Sequence, residues 1–459
     1  MKIRFYLALY LAKLSIPILK ITNHNGTDFP GFVALKICPS FIKYIDRPNM
    51  IVTVTGTDGK TTVTNLCYEL LSKSGKKVLS NNFGSNINSG IATTLLKGVN
   101  LLNKSQYDMA IIEVDERSSK QVYPYLEPDY TIVTNLFRDS IMRNAHPDYI
   151  KGFISDALPA KTKLILNGDD LISVEIAPNN QRVYFGVDRL KNDTSECINL
   201  INDKQICPKC HNKLIYEYRH YHHIGKAHCS SCDYASPTID YLATDITADD
   251  MSLLHDGNKT KYSLISDKLF EIYNLLCAIA LGTELGIKQE TICEYMKSVS
   301  VTKTRYNETD VNGCTIIMQM AKDMNALACS RVFDYLGNEN KDDKELFLMM
   351  SNRLDEVQWS ENTCWMYDCD FEFLKDSSIK HIVAAGARCK DFRLRLNLAG
   401  VDDNIIECVF DEKEAVNHLQ LKKGTKVYML YGASGGDIDY AFNMRDRIVA
   451  RAKEVTKWR

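Results

Sequence analysis

The sequence has little excess charge of either sign, because 56 lysines and arginines face 58 acidic residues and the formal net charge is −2. No global basic field therefore points to nucleic acid as a partner. Internal repeats and low-complexity tracts are also missing, so a repeat array is not indicated. The 45% hydrophobic and 25% charged content is that of an ordinary globular protein. A chain of 459 residues is too long for one ordinary core, and we expect two or three domains.

A membrane span and a cleavable signal are not evident either. The segment 5–21 is apolar, but it is short for a span, Lys13 and Lys20 interrupt it, and no small-residue cleavage pattern follows. We predict a helix that packs on the following domain. The alternative is a helix that also makes peripheral contact with the inner surface of the membrane.

The 15 cysteines do not form the regular framework of a small secreted domain. Four stand in two tight pairs, and the others are scattered through apolar runs, which favours reduced thiols in the cytoplasm. The pairs are Cys207-Pro-Lys-Cys210 and Cys229-Ser-Ser-Cys232. Each pair puts two thiolates on one side of a turn, and together they predict a closed, structural tetrahedral Zn²⁺ site. A redox pair would not need two matching turns.

Short apolar runs alternate with helical stretches from residue 50 onwards, which predicts an α/β fold with a mostly parallel sheet. The first run, Met50–Thr55, is β-branched and reads as a buried strand. We divide the chain into an N-terminal arm (1–47), a central ATP-binding domain (48–300) and a smaller C-terminal α/β domain (301–459). The cysteine-rich stretch, about 203–236, is an insertion in the central domain.

The loop at residues 55–62, Thr-Gly-Thr-Asp-Gly-Lys-Thr-Thr, lies between that strand and a predicted helix. Its glycines allow a tight turn that points amide groups at an anion, and the helix N-terminus adds its dipole. Lys60 can reach the β- and γ-phosphates of ATP, and the Thr61 hydroxyl can bind Mg²⁺. The strict P-loop pattern has a glycine where this chain has Val54. The residues predicted to bind nucleotide here are Gly56, Thr57, Gly59, Lys60, Thr61 and Thr62.

Acidic and polar residues follow the next two predicted strands. Glu113 ends the run that starts at residue 109, with Asp115 and Glu116 just after it. The carboxyl ends of parallel strands lie beside the phosphate loop, so Glu113 is a candidate Mg²⁺ ligand. Asn135 and Asp139 follow the next strand and are expected to face the same crevice. We consider His146 as a possible further metal ligand.

These motifs occur in the order found in Mur ligases, and the chain resembles that family. The motifs are the loop 55–62, the acidic run 113–116, Thr-Asn-Leu-Phe-Arg-Asp at 134–139 and Leu-Asn-Gly-Asp-Asp at 166–170. The segment 26–36, the four-cysteine insertion and the run 365–372 narrow the resemblance to the synthetase subunits of lipid II isoglutaminyl synthases. The resemblance implies a Mur ligase-like central domain. It also implies ATP-dependent amidation of the α-carboxylate of D-glutamate in the lipid II stem peptide through an acyl-phosphate. A GatD-like glutaminase would supply the ammonia.

The resemblance also assigns roles to single residues. Asn274 matches a residue near adenine, and Arg305 matches an arginine that contacts the nucleotide from the start of the last domain. Lys322 and Asp323 match a Lys-Asn pair on the same side. Asp368 is the candidate that completes the Cys-His triad of the glutaminase partner. Lys60, Glu113 and Asp368 are thus the predicted catalytic residues.

The sequence departs from the family pattern in several places, and most of these lie in the last domain. One departure lies in the loop, where Asp58 stands in place of the usual asparagine. Three other readings therefore stay open. The chain could be a Mur-type ligase that joins an amino acid to a peptide carboxylate without a glutaminase. It could also be an ATP-binding scaffold without turnover, or a zinc-ribbon nucleic-acid module.

Overall fold

The computed structural model describes residues 2–21, 26–82, 85–139, 146–264, 267–299, 306–339, 341–350, 363–432 and 437–456. The chain divides into two compact units. The first comprises residues 1–136, 147–198 and 202–300, and the second comprises 137–146, 199–201 and 301–459.

A nine-stranded sheet organises the first unit, in the order β11-β10-β9-β6-β5-β4-β1-β3-β2. Its strands are β1 Met50–Thr55, β2 Val78–Ser80, β3 Met109–Glu113, β4 Tyr130–Val133, β5 Lys163–Asn167, β6 Arg182–Val187, β9 Tyr241–Thr244, β10 Asp250–His255 and β11 Asn258–Ser263. Pairing is parallel from β2 across to β9, and β10 and β11 add antiparallel strands at one edge. The central strands are buried along almost their whole length, as expected where helices cover both faces.

Helices connect these strands and supply the covering layers. They are Lys2–Ile21, Phe29–Ile37, Phe41–Tyr44, Lys60–Lys73, Asn88–Gly98, Ser119–Leu126, Pro147–Ala157, Leu269–Glu284 and Gln289–Ser298. The first helix buries Phe5, Ala8, Leu9 and Ala12 in the main core of this unit. The segment 5–21 thus lies in a helix that packs on the following domain, as predicted.

The two cysteine pairs flank a small hairpin made of β7 Leu214–Tyr221 and β8 Ile224–Cys229. We call residues 207–232 the four-cysteine hairpin. Its apolar core consists of six buried residues only: Leu171, Cys207, Leu214, Tyr216, Ala227 and Cys229. A core of this size is too small to hold a fold by itself, which explains why the segment needs a staple.

The second unit is built on a six-stranded sheet in the order β12-β13-β17-β14-β15-β16. Its strands are β12 Tyr306–Val311, β13 Cys314–Met320, β14 Lys344–Met349, β15 Ile379–Ala385, β16 Ile406–Val409 and β17 Lys426–Tyr431. All pairs but β12–β13 are parallel. The helices of this unit are Ala326–Asp334, Trp365–Asp368, Cys389–Leu398, Glu412–Ala415 and Asp437–Thr456.

The α/β class, the mostly parallel sheets, the four-cysteine insertion and the smaller second α/β unit are as predicted, and this part of the prediction is confirmed. Among the described residues, no helix is both long and apolar enough to cross a bilayer.

Candidate nucleotide-binding and metal sites

The loop after β1 turns in a way that only glycine allows at two positions. Gly56 has a φ of 127° and Gly59 a φ of 84°, both in the left-handed region. A Cβ on Gly56 would lie 2.3 Å from Thr134 Oγ1, and one on Gly59 would lie 2.4 Å from Asn274 Oδ1. The backbone therefore approaches two neighbouring elements too closely for a side chain.

Asn135, which follows β4, forms hydrogen bonds to this loop. Its carbonyl accepts from Thr57 N at 2.8 Å, and its Oδ1 accepts from Asp58 N at 3.0 Å. Its Nδ2 donates to Asp58 O at 3.2 Å, and Thr134 Oγ1 donates to the same carbonyl at 2.6 Å. The structure therefore shows Asn135 supporting the loop, and its predicted contact with a cofactor stays a prediction.

The helix Lys60–Lys73 begins directly after Gly59. The amides of its first turn have no acceptor within the helix, which makes this end suited to a phosphate. Thr61 is exposed and Thr62 is half-buried. Both threonines were predicted to bind nucleotide, and both are accessible to solvent at this end of the helix.

Lys60 is folded back onto its own loop. Its Nζ donates to Glu116 Oε1 at 2.8 Å, to Thr57 O at 3.0 Å and to Gly56 O. The Glu116 side chain is 3% exposed. Burial raises the pKa of Glu116, and the charge of Lys60 acts against this rise. Lys60 is therefore an ammonium group held at the mouth of the loop by a buried carboxylate.

Glu113 lies at the end of β3, three residues before Glu116, and is 6% exposed. Its Oε1 accepts from Asn86 Nδ2 at 2.8 Å, and its backbone N donates to Asn81 Oδ1 at 2.8 Å. Sequence reasoning did not single out Asn81 and Asn86. Both follow β2, which pairs in parallel with β3. Because the carboxyl ends of parallel strands meet at one edge of a sheet, their position after β2 could have indicated that they lie near Glu113.

The structure places the remaining candidates of the first unit as follows. Asn274 is buried in the helix Leu269–Glu284 and contacts the position of Gly59. Asp139 and His146 belong to the segment 137–146, which groups with the second unit. Arg305 lies outside the described residues.

Lys322, Asp323 and Asp368 lie in the second unit. Lys322 adopts a φ of 49°. Asp323 is 6% exposed, and a Cβ on Gly432 would lie 2.5 Å from its Oδ1. Asp368 ends a short helix, is 28% exposed, and its Oδ2 lies 3.6 Å from Arg138 Nη1 within the same unit.

The four cysteines of the hairpin converge on one point. All four Sγ atoms lie within 4.8 Å of one another, with 3.5 Å from Cys207 to Cys232 and 3.3 Å from Cys210 to Cys229. A tetrahedral ion with zinc–sulfur bonds of about 2.3 Å separates its sulfur ligands by roughly 3.8 Å. Backbone amides two residues after the first cysteine of each pair donate to that sulfur, at 3.4 Å in both cases. The donor set and spacing fit a closed metal site of the zinc-ribbon type.

Comparison with known proteins agrees with these features. The Mur ligase middle domain model matches residues 54–282, and the MurT ligase C-terminal model matches residues 323–434. The subunit MurT of the glutamine-hydrolyzing lipid II isoglutaminyl synthase of Staphylococcus aureus is 28% identical over 408 residues, which is 88% of this chain and 90% of that protein. The corresponding Streptococcus pneumoniae subunit is 28% identical over 82% of this chain and 83% of its own length.

Solved structures share the fold. A pseudomurein peptide ligase type C from Methanothermus fervidus superposes with a TM-score of 0.66 at 21% identity, covering 89% of this chain and 80% of its own. The MurF ligase from Thermotoga maritima in complex with ADP gives a TM-score of 0.57 at 12% identity, covering 93% and 85%. From the matched family models, and from MurT relatives that span most of its length, the chain belongs to the Mur ligase family.

Proposed function

We propose that the chain is the ATP-dependent synthetase subunit of a glutamine amidotransferase in peptidoglycan synthesis, a carbon-nitrogen ligase. Its substrate would be the α-carboxylate of D-glutamate in the lipid II stem peptide, and a GatD-like glutaminase would deliver ammonia. The observation that supports this most is the glycine loop with Lys60 at its mouth, in a chain related over most of its length to MurT subunits.

The reaction requires two bond exchanges. The substrate carboxylate attacks the γ-phosphorus of ATP, which forms an acyl-phosphate and releases ADP. The nitrogen of ammonia then attacks the acyl carbon, the amide forms, and phosphate leaves with the carboxyl oxygen. Both partners of the first exchange are anions, so the main demand on the protein is placement and neutralisation of charge.

The residues of the first unit can meet that demand. In this proposal the Lys60 ammonium exchanges Glu116 for the β- and γ-phosphates, because a polyphosphate offers more negative charge than one carboxylate. The first-turn amides at Thr61 and Thr62 bind the same group, and Gly56, Thr57 and Gly59 shape the loop around it. Mg²⁺ would supply charge neutralisation when bound, with the Thr61 hydroxyl and Glu113 as its ligands. Asn135 and Asn274 would position the loop and the nucleotide.

Lys322 and Asp323 are proposed as nucleotide-binding residues on the strength of the resemblance. Asp368 is proposed to complete the catalytic triad of the glutaminase. Its carboxylate is partly exposed and lies close to Arg138, so it has a surface that a partner can contact.

The decisive experiment is amidation of lipid II by the chain co-purified with a GatD-like glutaminase. With ATP, Mg²⁺ and glutamine, mass spectrometry should show a loss of about 1 Da per stem peptide, as expected when OH is replaced by NH₂. Lys60→Ala is the control for dependence on the loop, and Asp368→Ala should abolish the glutamine-driven reaction but leave that with added ammonium salt.

Other outcomes decide against the proposal. A gain in mass equal to one amino-acid residue, without need of the glutaminase, would identify a peptide ligase instead. ATP binding without ADP release, with both subunits paired and lipid II present, would identify a scaffold.

We also propose that the first helix makes peripheral contact with the cytoplasmic face of the membrane. Lys2–Ile21 contains no acidic residue, although it carries Lys2, Arg4, Lys13 and Lys20. Its unburied side leaves a row of apolar side chains in solvent: Ile3, Leu7, Leu14, Ile18 and Ile21, between 53% and 87% exposed. An apolar face on a basic helix suits an anionic lipid surface.

Sedimentation with phospholipid vesicles tests this contact. The chain should sediment with vesicles that contain phosphatidylglycerol and less with neutral phosphatidylcholine. Leu14→Glu with Ile18→Glu should abolish sedimentation. The control is Leu101→Glu with Leu102→Glu, which alters two apolar side chains of similar exposure, 63% and 76%, outside the helix. Equal sedimentation of both variants would refute the contact.

A further inference from the structure

Three consecutive residues after β5 form the surface on which the four-cysteine hairpin sits. Asp169 O accepts from Gly225 N at 2.9 Å, and Asp170 forms an antiparallel bridge with Ile224. Leu171 is buried in the apolar core of the hairpin itself. We call residues 169–171 the contact segment. At this segment the hairpin contacts the central domain through its main chain and its apolar core. Other bonds hold it elsewhere, such as that from Tyr218 Oη to Val187 O.

The side chain of Asp170 points from this segment in two directions. On one side its Oδ1 lies 3.1 Å from His223 Nε2, at the turn of the hairpin. On the other side its Oδ2 accepts from Leu136 N at 2.7 Å. Both side chains of the His223–Asp170 pair are at most 1% exposed. A buried carboxylate that loses a partner is destabilised. Asp170 also accepts from Ile172 N, Ser173 N and Ser173 Oγ, so His223 is one of several groups that fix its position.

Leu136 directly follows Asn135, the residue that holds the phosphate loop. Residues 134–139 lie beyond the end of β4 and belong to no helix or strand. Backbone bonds from Thr134 N to Thr55 O and from Thr57 N to Asn135 O join the start of this segment to the loop, and the Asp170 side chain holds Leu136 N. A continuous series of bonds runs from His223 through Asp170 and Leu136 to Asn135, and from Asn135 to Thr57 and Asp58.

We infer that the four-cysteine hairpin positions the phosphate loop through His223, Asp170 and Asn135, in addition to stabilising the fold. His223 and Asp170 are positioning residues, since neither touches the loop. A closed metal site would join the two cysteine pairs at the open end of the hairpin, and the paired strands β7 and β8 connect that end to the turn with His223. This inference rests on the proposed nucleotide binding at the loop.

The test measures the affinity of the full chain for a fluorescent ADP analogue. His223→Ala removes the hairpin's side-chain bond to Asp170 and should weaken binding about three- to tenfold, the range of coupling through a packed network. The matched control is Tyr234→Phe. It removes a bond from the chain just after the hairpin, where Tyr234, two residues after Cys232, donates from Oη to Glu175 Oε1 at 3.0 Å. That bond does not lead to the loop. Tyr234→Phe should leave the affinity unchanged.

Hydrogen exchange separates positioning from general stability. The amides of Thr57 and Asp58 should exchange faster in His223→Ala than in Tyr234→Phe. Each variant is measured at the same number of degrees below its own melting temperature. His223→Gln replaces the imidazole by an amide that can also donate to Asp170, and it should recover part of the affinity. It serves as the main variant if His223→Ala does not fold. Removal of metal by a chelator, followed by dialysis and return of Mg²⁺, should weaken binding similarly, and added Zn²⁺ should restore it.

The outcomes are distinguishable. If the unaltered chain with metal does not bind the analogue, the proposed nucleotide site is wrong. If it binds, and both His223 variants and the metal-stripped chain match it in affinity and loop exchange, then the nucleotide site stands and the positioning role is overturned.

Discussion

Lys60 Nζ and Glu116 Oε1 lie 2.8 Å apart, with side chains only 14% and 3% exposed. The lysine comes from the loop after β1, and the glutamate comes from the turn after β3. The lysine that we propose to bind phosphate is thus paired with a buried carboxylate of the protein. Variants of this pair can therefore distinguish an effect on stability from an effect on activity.

Removal of one partner should be worse for stability than removal of both. Lys60→Met leaves Glu116 buried and unpaired, and we expect the melting temperature to fall by roughly 5 °C. Lys60→Met combined with Glu116→Gln should recover most of that loss, yet release no ADP from ATP. Calorimetry and a coupled ADP assay measure the two effects. Recovery of ADP release in the double variant would show that Lys60 has no role in turnover.

Gly59 allows a test with a close internal match. Gly59 and Gly75 have φ values of 84° and 85°, so alanine brings the same backbone strain, about 1 kcal/mol, at either position. Only at Gly59 would the new Cβ meet a neighbour, because nothing lies within 4 Å of the one at Gly75. Both variants should lose similar backbone stability. Gly59→Ala alone should lose more than tenfold in nucleotide affinity, as measured by calorimetric titration, and an equal loss in Gly75→Ala would contradict the loop assignment.

The cysteine site should hold one zinc ion per chain. Elemental analysis of the purified chain should give a stoichiometry near one, and Cys229→Ser should abolish it and lower the melting temperature. Cys364→Ser is the control, because Cys364 is exposed and lies outside the four-cysteine cluster. Loss of zinc in the control variant, or a full zinc content in Cys229→Ser, would argue against the assigned ligands.

A buried histidine should make the second unit sensitive to pH. His381 Nδ1 lies 2.6 Å from Glu345 Oε1, and its Nε2 lies 3.1 Å from Glu407 Oε1. Burial lowers the pKa of His381, but the two carboxylates outweigh it, and the pKa is raised above 6.5. A histidine whose pKa is higher in the folded than in the unfolded chain stabilises the fold when it is protonated. This contribution is complete at a pH below the pKa of the unfolded chain, and it is lost as the pH rises through the pKa of the folded chain.

The melting temperature of the full chain should therefore fall as the pH rises from about 6.5 through the raised pKa of His381. His381→Gln should flatten this slope, although it lowers stability at pH 6. Differential scanning fluorimetry across that range measures it. An unchanged slope in the variant would mean that His381 does not carry the dependence.

Much of the fold could be predicted because its signals are local. The β-branched run Met50–Thr55 forms a strand over the predicted residues, since burial on both faces requires an uninterrupted apolar run. The strand Ile406–Val409 begins only after a turn. The Asp402 side chain accepts from Asn404 N and bends the preceding residues into a turn. The edge strand Asn258–Ser263 was missed, because it is mostly exposed and polar and has no apolar run to reveal it.

By itself the sequence determined the α/β class, the glycine loop at residues 55–62 and the two cysteine pairs, because each depends on residues that are neighbours in the chain. Only the tertiary structure decided that Glu116, and not Glu113, pairs with Lys60. The two acids are three residues apart, and the turn Glu116–Ser118 after β3 determines which one faces the loop. The tertiary structure also decided that Asn135 supports the loop through hydrogen bonds. It brought Asp170 into contact with His223, which lies 53 residues further along the chain. Such contacts follow from strand order and register, which bring distant residues together and which no short stretch of sequence contains.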